Sequence, residues 1–464
     1  MRERAPRAVP DALPPRLCHG AVYRPGDSGY DAARTPWNVA VDLRPAAVAY
    51  PSSIAELAAI VNAARRAGLR IAVQGTGYAA GALGELSDAV LVKTSAMTGV
   101  RVDAERRLVR VQAGALWGDA VGAAAKHGLS VLHGSSPDVG VVGYSLGGGL
   151  GWYARALGLQ AHSVTAATVV TSSGEIVEVD DSHHPDLLWA LRGGGGNFAV
   201  VAELEFRAYC FTEAYAGLLA WDWTHADAVV RRWAQWSADA PDAATTSLRI
   251  MQLPPIPEIP EPFRGRNLVV IDGAVLADDA RAAAILAPLR ELEPEPELDT
   301  FARVPTEQLA WLHMDPEGPT PCVMDSVLLA SLPPSAVEAF LAAAGPESSS
   351  HAMVAEIRQL GGALARPSEN PCALPMLDAQ YVLFSVSIAP TPEIAPSLQA
   401  ESRAIIAALS EWAGGQYLNF AGCAADASSA YSAESWERLR TLRFQWDPDE
   451  ALIASHPIPP LIDF

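Results

Sequence analysis

Two glycine-rich loops in the first third of the chain hold the residues best suited to chemistry. The first is Gln74-Gly75-Thr76-Gly77-Tyr78-Ala79-Ala80-Gly81. The second runs Gly140-Val-Val-Gly143-Tyr144-Ser-Leu-Gly147-Gly148-Gly149-Leu-Gly151. Without a Cβ in the way, backbone can approach a bulky anion, and successive N–H groups can converge on phosphate oxygens as a nest. A pyrophosphate-bearing dinucleotide is the natural ligand of such loops. A third stretch, Arg192-Gly-Gly-Gly-Gly-Asn197, lies in the same region, with Arg192 placed to cap or brace it. Glycine clusters also build tight turns, and one loop alone does not separate the two readings. A Rossmann site is a further alternative, but it needs GxGxxG directly between the first strand and a helix, with an acid about 20 residues later. Gly147–Gly151 comes late and runs on as Trp-Tyr-Ala-Arg, which does not supply that order.

The elements that must position these loops are legible in the hydrophobic pattern. Residues 1–40 read as an irregular lead-in. A short strand at Ala46–Tyr50 precedes Ser53-Ile-Ala-Glu56, a capping box that starts a helix running toward Gly68. Strand Arg70–Val73 then feeds the first loop, and strand Ala89–Val92 follows it. Strands are expected at 108–113 and 131–133, flanking a helix near 116–127. Val164–Thr171 and Glu175–Val179 form a hairpin across Ser172-Ser-Gly174, a strong turn signal. A helix at Pro185–Leu191 and a strand at Val200–Phe206 close the block. From about 211 the glycines thin out, and helices (Ala226–Ala238, Asp278–Leu292) alternate with strands (Leu268–Ile271, Val382–Ile388). The proline-rich run Leu253–Pro262 is a surface segment, because prolines cannot sit in a central strand.

The chain has 464 residues and a formal net charge of −20. That length suggests two or three domains. No basic run offers a nucleic-acid face, and the acidity opposes docking on anionic membranes. No apolar window reaches the length of a membrane helix, and the N-terminus lacks the apolar stretch of a signal peptide. Five scattered cysteines without CxxC spacing argue against a disulfide framework or a zinc site and fit a reducing cytoplasm.

With these motifs in view, the chain resembles the FAD-linked oxidases of the vanillyl-alcohol-oxidase superfamily (PCMH-type FAD-binding), in the berberine-bridge-enzyme-like branch. The resemblance rests on Val73-Gln-Gly-Thr-Gly77, Gly134-Ser-Ser-Pro-Asp-Val-Gly140, Gly147-Gly-Gly-Leu-Gly151, Leu157-Gly-Leu159, Pro185 to Phe198 and Tyr417-Leu-Asn-Phe420. It covers the chain from Ala46 to Pro460. It implies an α+β fold: a two-lobed FAD-binding domain at 41–210, an inserted α/β substrate domain built on an antiparallel sheet at 211–414, and a segment at 415–464 returning to the first domain. It also implies that Gln74 to Gly81 wrap the FAD pyrophosphate. Ser135, Ser136, Pro137, Val139, Gly140, Gly143 and Tyr144 would line the ribityl chain and ring, together with Gly147, Gly148, Gly149 and Gly151. Val201 would approach the adenine side, and Tyr417 and Asn419 would return to the flavin.

The departures from that family matter as much. Relatives attach the flavin to a histidine in the first loop and often to a cysteine in a Gly-x-Cys-Pro segment, which corresponds to Gly134–Pro137 just before the second loop; here those positions are Tyr78 and Ser136. FAD is therefore expected to be held without a covalent bond, with Tyr78 packing against the edge of the flavin; a tyrosyl link is the alternative. His162 stands where relatives often have Asp, and reads either as a cofactor contact or as a histidine bonded to backbone. Phe420 replaces a tyrosine that serves as base in some relatives. Hydride transfer to a flavin needs a base for the substrate proton. Tyr417, Tyr144 and Tyr78 are the leading candidates, with His313 and Glu356 as further ones; Tyr417 could equally be a structural lock. Val139 resembles the residue that admits O2 in oxidases. The function expected is an FAD-dependent oxidoreductase, an oxidase of a small-molecule alcohol or amine, secondary metabolite or sugar-like, using O2. A lyase or cyclase on the same scaffold is the alternative.

Overall fold

The computed structural model describes residues 16–17 and 20–461. Three sheets organise it. The first has six strands in the order Arg16–Leu17, Gly20–Tyr23, Ala47–Ala49, Ala89–Lys93, Arg70–Gln74 and Leu452–Ile453. Its last four strands run parallel. Both faces of a parallel sheet are covered, so its central strands read as unbroken apolar runs, as Ala89–Lys93 does. Helix Ile54–Arg66 covers one face with Leu57, Ile60, Val61 and Ala64, against Ile71, Val90 and Val92. Ser53 Oγ accepts from the N–H of Glu56 at 3.3 Å. The Glu56 carboxylate reaches back to Ser52, N and Oγ both at 2.7 Å, so the reciprocal half of the capping box sits one residue earlier than expected.

The second sheet is antiparallel, in the order Val100–Asp103, Leu108–Gln112, Val200–Arg207, Val164–Val170, Ile176–Asp180. Helix Trp117–Ala125 and helix Pro185–Leu191 pack on it, with Trp117, Phe198, Leu204 and Phe206 fully buried. The third sheet is larger and also antiparallel. Its order is Leu298–Asp299, Glu213–Asp222, Asn267–Val275, Ala244–Gln252, Val354–Gln359, Tyr381–Ile388, Cys322–Leu329, with Ala302–Pro305 also on Glu213–Asp222. Helices Ala226–Asp239, Asp279–Arg290, Pro334–Ala344 and Ala395–Ala408 lie on one of its faces, filling it with Trp221, Trp233, Leu286, Phe340 and Leu383. The architecture is α+β with mixed helices and antiparallel sheets, as the motifs implied.

Two local expectations are corrected. Residues before 40 are not irregular throughout: Gly20–Tyr23 adds a strand between Arg16–Leu17 and Ala47–Ala49, and Tyr30–Arg34 is a helical turn whose Tyr30 hydroxyl donates to Pro45 O at 2.6 Å. Residues 131–133 are not a strand; only Ser130 forms an isolated bridge, to Tyr209. Their apolar side chains are buried, but burial alone does not distinguish strand from loop. The four described cysteines are free, and Cys18 lies outside the described residues. No helix among the described residues is long and apolar enough to cross a membrane.

Candidate functional site

Strand Arg70–Gln74 hands the chain into the first loop. Five consecutive main-chain N–H groups there, from Gly75 to Ala79, meet no protein acceptor among the described residues. Two carbonyls on the same stretch are taken by the segment before it: Thr76 O accepts from Trp37 N at 2.9 Å and Gly77 O from Asn38 N at 3.4 Å. The strap at Trp37 and Asn38 thus grips the loop by its acceptors and leaves its donors free. Gln74 Nε2 folds onto Thr76 O at 3.0 Å. That side chain and Pro36 fill the space a Cβ on Gly77 would need, and Gly77 sits at φ +104, where a side chain would be strained. Gly75 is open, its nearest neighbours 3.9 Å from a would-be Cβ.

The second loop uses its glycines differently from the expectation. A Cβ on Gly149 would meet the Tyr144 ring at 2.5 Å, and one on Gly148 would meet Tyr417 at 3.1 Å and Leu374 at 3.2 Å. Gly147 faces Asn419 Oδ1, and Gly151 faces the carbonyl of His133. The N–H groups of Gly147 and Gly148 close onto Gly143 O and Ser145 O. These four glycines make room for protein side chains and backbone, so their side-chain space is not a ligand's. Gly140 and Gly143 differ. Gly140 has Thr76 Cγ2 at 3.8 Å as its nearest neighbour, and Gly143 has no atom within 4 Å. The two loops therefore approach each other where Thr76 faces Gly140. Gly81 is pressed against Gly422 O at 2.5 Å, which brings the C-terminal motif to the first loop as well.

The three tyrosines named as candidate bases are all buried or nearly so. Tyr417 is 1% exposed. Burial pushes its phenol up, against Asn419 and the main chain of Gly149 and Leu150, which pull it down. Asn419 Nδ2 donates to Tyr144 O at 2.8 Å and to Tyr417 Oη at 3.4 Å. Tyr144 Oη is buried without a partner, and burial raises its pKa well above the usual value. Tyr78 is pushed up by burial and by its hydrogen bond to Asp138. Burial thus favours the protonated phenol at all three positions. Tyr417 and Asn419 instead lock the second loop onto the C-terminal motif.

Proton-handling groups converge elsewhere. Strands Ala244–Gln252, Asn267–Val275 and Val354–Gln359 turn Arg249, Asp272, Glu356 and Arg358 to the face away from the helices, because strand side chains alternate. Arg249 Nη2 bonds Asp272 Oδ2 at 2.5 Å, and His313 Nδ1 meets the same oxygen at 2.9 Å. His313 Nε2 lies 3.3 Å from Glu356 Oε2, whose other oxygen accepts from Arg358 Nε at 2.6 Å and Ser247 Oγ at 2.7 Å. All five charged or titratable groups are buried. Burial and Arg249 pull the His313 imidazole down, but Asp272, Glu356 and Asp315 outweigh them and hold it up at about 9. Glu356 is held well below the carboxylate range, the arginine and histidine overcoming its burial.

This cluster borders both the second loop and the C-terminal motif. The Arg358 guanidinium lies 5.2 Å from the Phe420 ring and 5.7 Å from the Trp152 ring, and Trp152 is 5.5 Å from His313. Ser135 Oγ donates to Asp315 Oδ2 at 3.1 Å. Of the sequence candidates, His313 and Glu356 are thus brought together, and Arg249, Asp272 and Arg358 were missed. The alternating Val-Ala-Glu-Ile-Arg-Gln of residues 354–359 carried the signal: a strand with charge on one face.

The remaining residues fall into place around these. Ser136 Oγ donates to Asp138 Oδ1 at 2.8 Å. Pro137 O and Val139 O accept from Gly118 N and Trp117 N, fixing the second loop to helix Trp117–Ala125. Val139 packs half-buried on the second-sheet core, and Val201 is inside that core. His162 follows the backbone reading. Its Nε2 lies 2.9 Å from Leu374 O and its Nδ1 accepts from Leu159 N at 3.3 Å, so neither ring nitrogen is free for a cofactor. Arg192 braces Val164 O, Pro371 O and Asp181.

Residues 45–180 match the family model described as an FAD binding domain. Over that stretch the chain carries an FAD binding domain. Its sequence is 33% identical over 208 residues to (R)-6-hydroxynicotine oxidase of Paenarthrobacter nicotinovorans, covering 45% of each chain. It is 38% identical over 184 residues to glucooligosaccharide oxidase of Sarocladium strictum, covering 39% of this chain and 37% of that one. The chain thus aligns with less than half the length of these two relatives. In fold the likeness spans nearly everything. The wild-type BBE-like 1 protein of Physcomitrella patens superposes with a TM-score of 0.83 over 96% of this chain and 98% of that one, at 19% identity. The free N–H row at Gly75–Ala79, with open backbone at Gly75, Gly140 and Gly143, fits the pyrophosphate and extended chain of FAD.

Proposed function

We propose that this protein is an FAD-dependent oxidoreductase that takes a hydride from a small-molecule alcohol or amine, with FAD held non-covalently. The observations that carry this reading are the free N–H row at Gly75–Ala79 and, apart from it, a buried ionic cluster that borders the second loop at Trp152 and the C-terminal motif at Phe420. Bound FAD supplies the hydride acceptor. The N–H groups of Gly75–Ala79 would hold its pyrophosphate, and Gly140 and Gly143 would give it a surface without side chains. The third sheet presents Arg358, His313 and Glu356 to the opposite side of the substrate. Arg358 would orient an oxygen or nitrogen on the substrate, and His313, paired with Glu356, would accept the substrate proton only in its neutral form. Asp272 and Glu356 fix the imidazole through its two nitrogens. Tyr417 and Asn419 hold the loop in place. Val139 supports O2 as the electron acceptor through its likeness to oxidases.

The substrate class follows the relatives' names only in outline: one is an oxidase of a hydroxynicotine and one of a glucooligosaccharide. The test is anaerobic single-turnover reduction of the yellow protein with a panel of cyclic amines, oligosaccharides and polyketide-like alcohols. Bleaching by one class supports the reading. Product without bleaching would instead support the lyase or cyclase alternative, and a colourless protein that takes up no FAD would sink the claim.

A further inference from the structure

The two positions at which relatives tether the flavin do not stand apart here; they converge on one carboxylate. Asp138 Oδ1 accepts from Tyr78 Oη at 2.5 Å and from Ser136 Oγ at 2.8 Å. Its Oδ2 accepts from Trp37 Nε1 and from Gly318 N, both at 2.8 Å. The Trp37 and Tyr78 rings stack 3.8 Å apart with 15° between their planes. Four segments far apart in sequence thus meet at one side chain: the strap, both flavin loops and the connection before strand Cys322–Leu329. The strap is fixed to that last strand separately, since Asn38 Nδ2 donates to Cys322 O at 2.9 Å and Thr320 N donates to Trp37 O at 2.9 Å.

We propose that Asp138 is the hub of a clasp that retains FAD in place of a covalent tether, with Tyr78, Ser136 and Trp37 as its arms. This rests on the reading of the glycine loops as the flavin site. A carboxylate with four donors from four segments holds them only while all four are together, so the clasp resists the opening of the two loops that flavin release requires. Tyr78 acts here by donating its proton and by stacking, not as a nucleophile: its oxygen is committed to Asp138 and one face is covered by Trp37. The role is positional, and the neighbouring donors make it cooperative. Bonds to a charged acceptor are the strong class of hydrogen bond, and losing one arm is expected to speed flavin release about ten- to a hundredfold.

The test uses the FAD-loaded protein and the variants D138N, Y78F and D138E. FAD release on dilution is followed by the rise in free-flavin fluorescence, and unfolding of each apoprotein is followed in parallel. The clasp predicts faster release in D138N and Y78F, with the Y78F/D138N double variant no faster than D138N alone, and partial rescue in D138E. Flavin release at the wild-type rate in Y78F and D138N overturns it, as does a double variant whose effects simply multiply. Y78F keeps the stacked ring and stays informative if D138N fails to fold. Wild-type protein that binds no FAD refutes the functional reading itself, whereas bound FAD insensitive to these variants refutes only the clasp.

Discussion

Replacing His313 by Gln isolates the buried cluster on the third sheet. With His313 protonated, three positive groups (Arg249, His313, Arg358) face two carboxylates (Asp272, Glu356). Glutamine fills a similar volume and keeps a polar side chain toward Asp272 and Glu356, so the chain should fold. The imidazole is held up at about 9 from its ordinary 6.5, which is worth about 3 kcal/mol at 1.36 kcal/mol per unit. A group whose pKa is raised on folding contributes fully below its unfolded pKa, and that contribution is lost as pH rises through its folded pKa. The stability difference between wild type and H313Q should therefore shrink by about 3 kcal/mol from pH 6 to about pH 9.5. Lys93 is pushed down to about 8 by burial and works in the opposite sense above that pH, but it is common to both proteins and cancels in the difference. Urea unfolding of both proteins at pH 6, 7.5, 9 and 9.5, read by tryptophan fluorescence, measures it. A difference that stays flat with pH would refute the electrostatic account of the cluster. In the same wild-type protein, substrate-driven bleaching of the flavin should quicken as pH rises toward about 9, since only the neutral imidazole can take the proton.

Other outcomes follow from the same geometry. Y78H restores the residue type that relatives use as a tether; the washed acid precipitate should then be yellow, whereas wild-type colour should stay in the supernatant. Gly151→Ala drives a methyl onto the His133 carbonyl and should cost about 2–3 kcal/mol by thermal unfolding, as overpacking does. Gly143→Ala meets no atom within 4 Å, so it should leave unfolding nearly unchanged while raising the Kd for FAD. Enlarging Val139 to Phe should slow reoxidation of the reduced protein by O2 without slowing its reduction by substrate, measured by stopped-flow in each direction.

Several local signals of the first half were legible: the capped helix from Ile54 and the strands at 108–112, 164–170, 176–180 and 200–207 form where they were expected, whereas Val100–Asp103 was missed and 131–133 is no strand. The tyrosines were harder, because a motif gives a position and not an environment. The motif placed Tyr417 at the flavin; the structure sets it beside the second loop, and only the packing there shows that burial raises its pKa.

By itself, then, the sequence showed the glycine-rich loops and the residues Tyr78 and Ser136, which depend on residue type at short spacing, while the fold class and the tether positions came from the resemblance that those motifs carry. Tertiary structure alone decided which glycines face open space and which face Tyr144, Tyr417 or Asn419. It alone joined Arg249, Asp272, His313, Glu356 and Arg358, which come from three strands and a connection and share no spacing. The physical reason is that burial and charge pairing act through space: whether an ionisable group holds its proton depends on neighbours that only the folded sheet brings within hydrogen-bond reach.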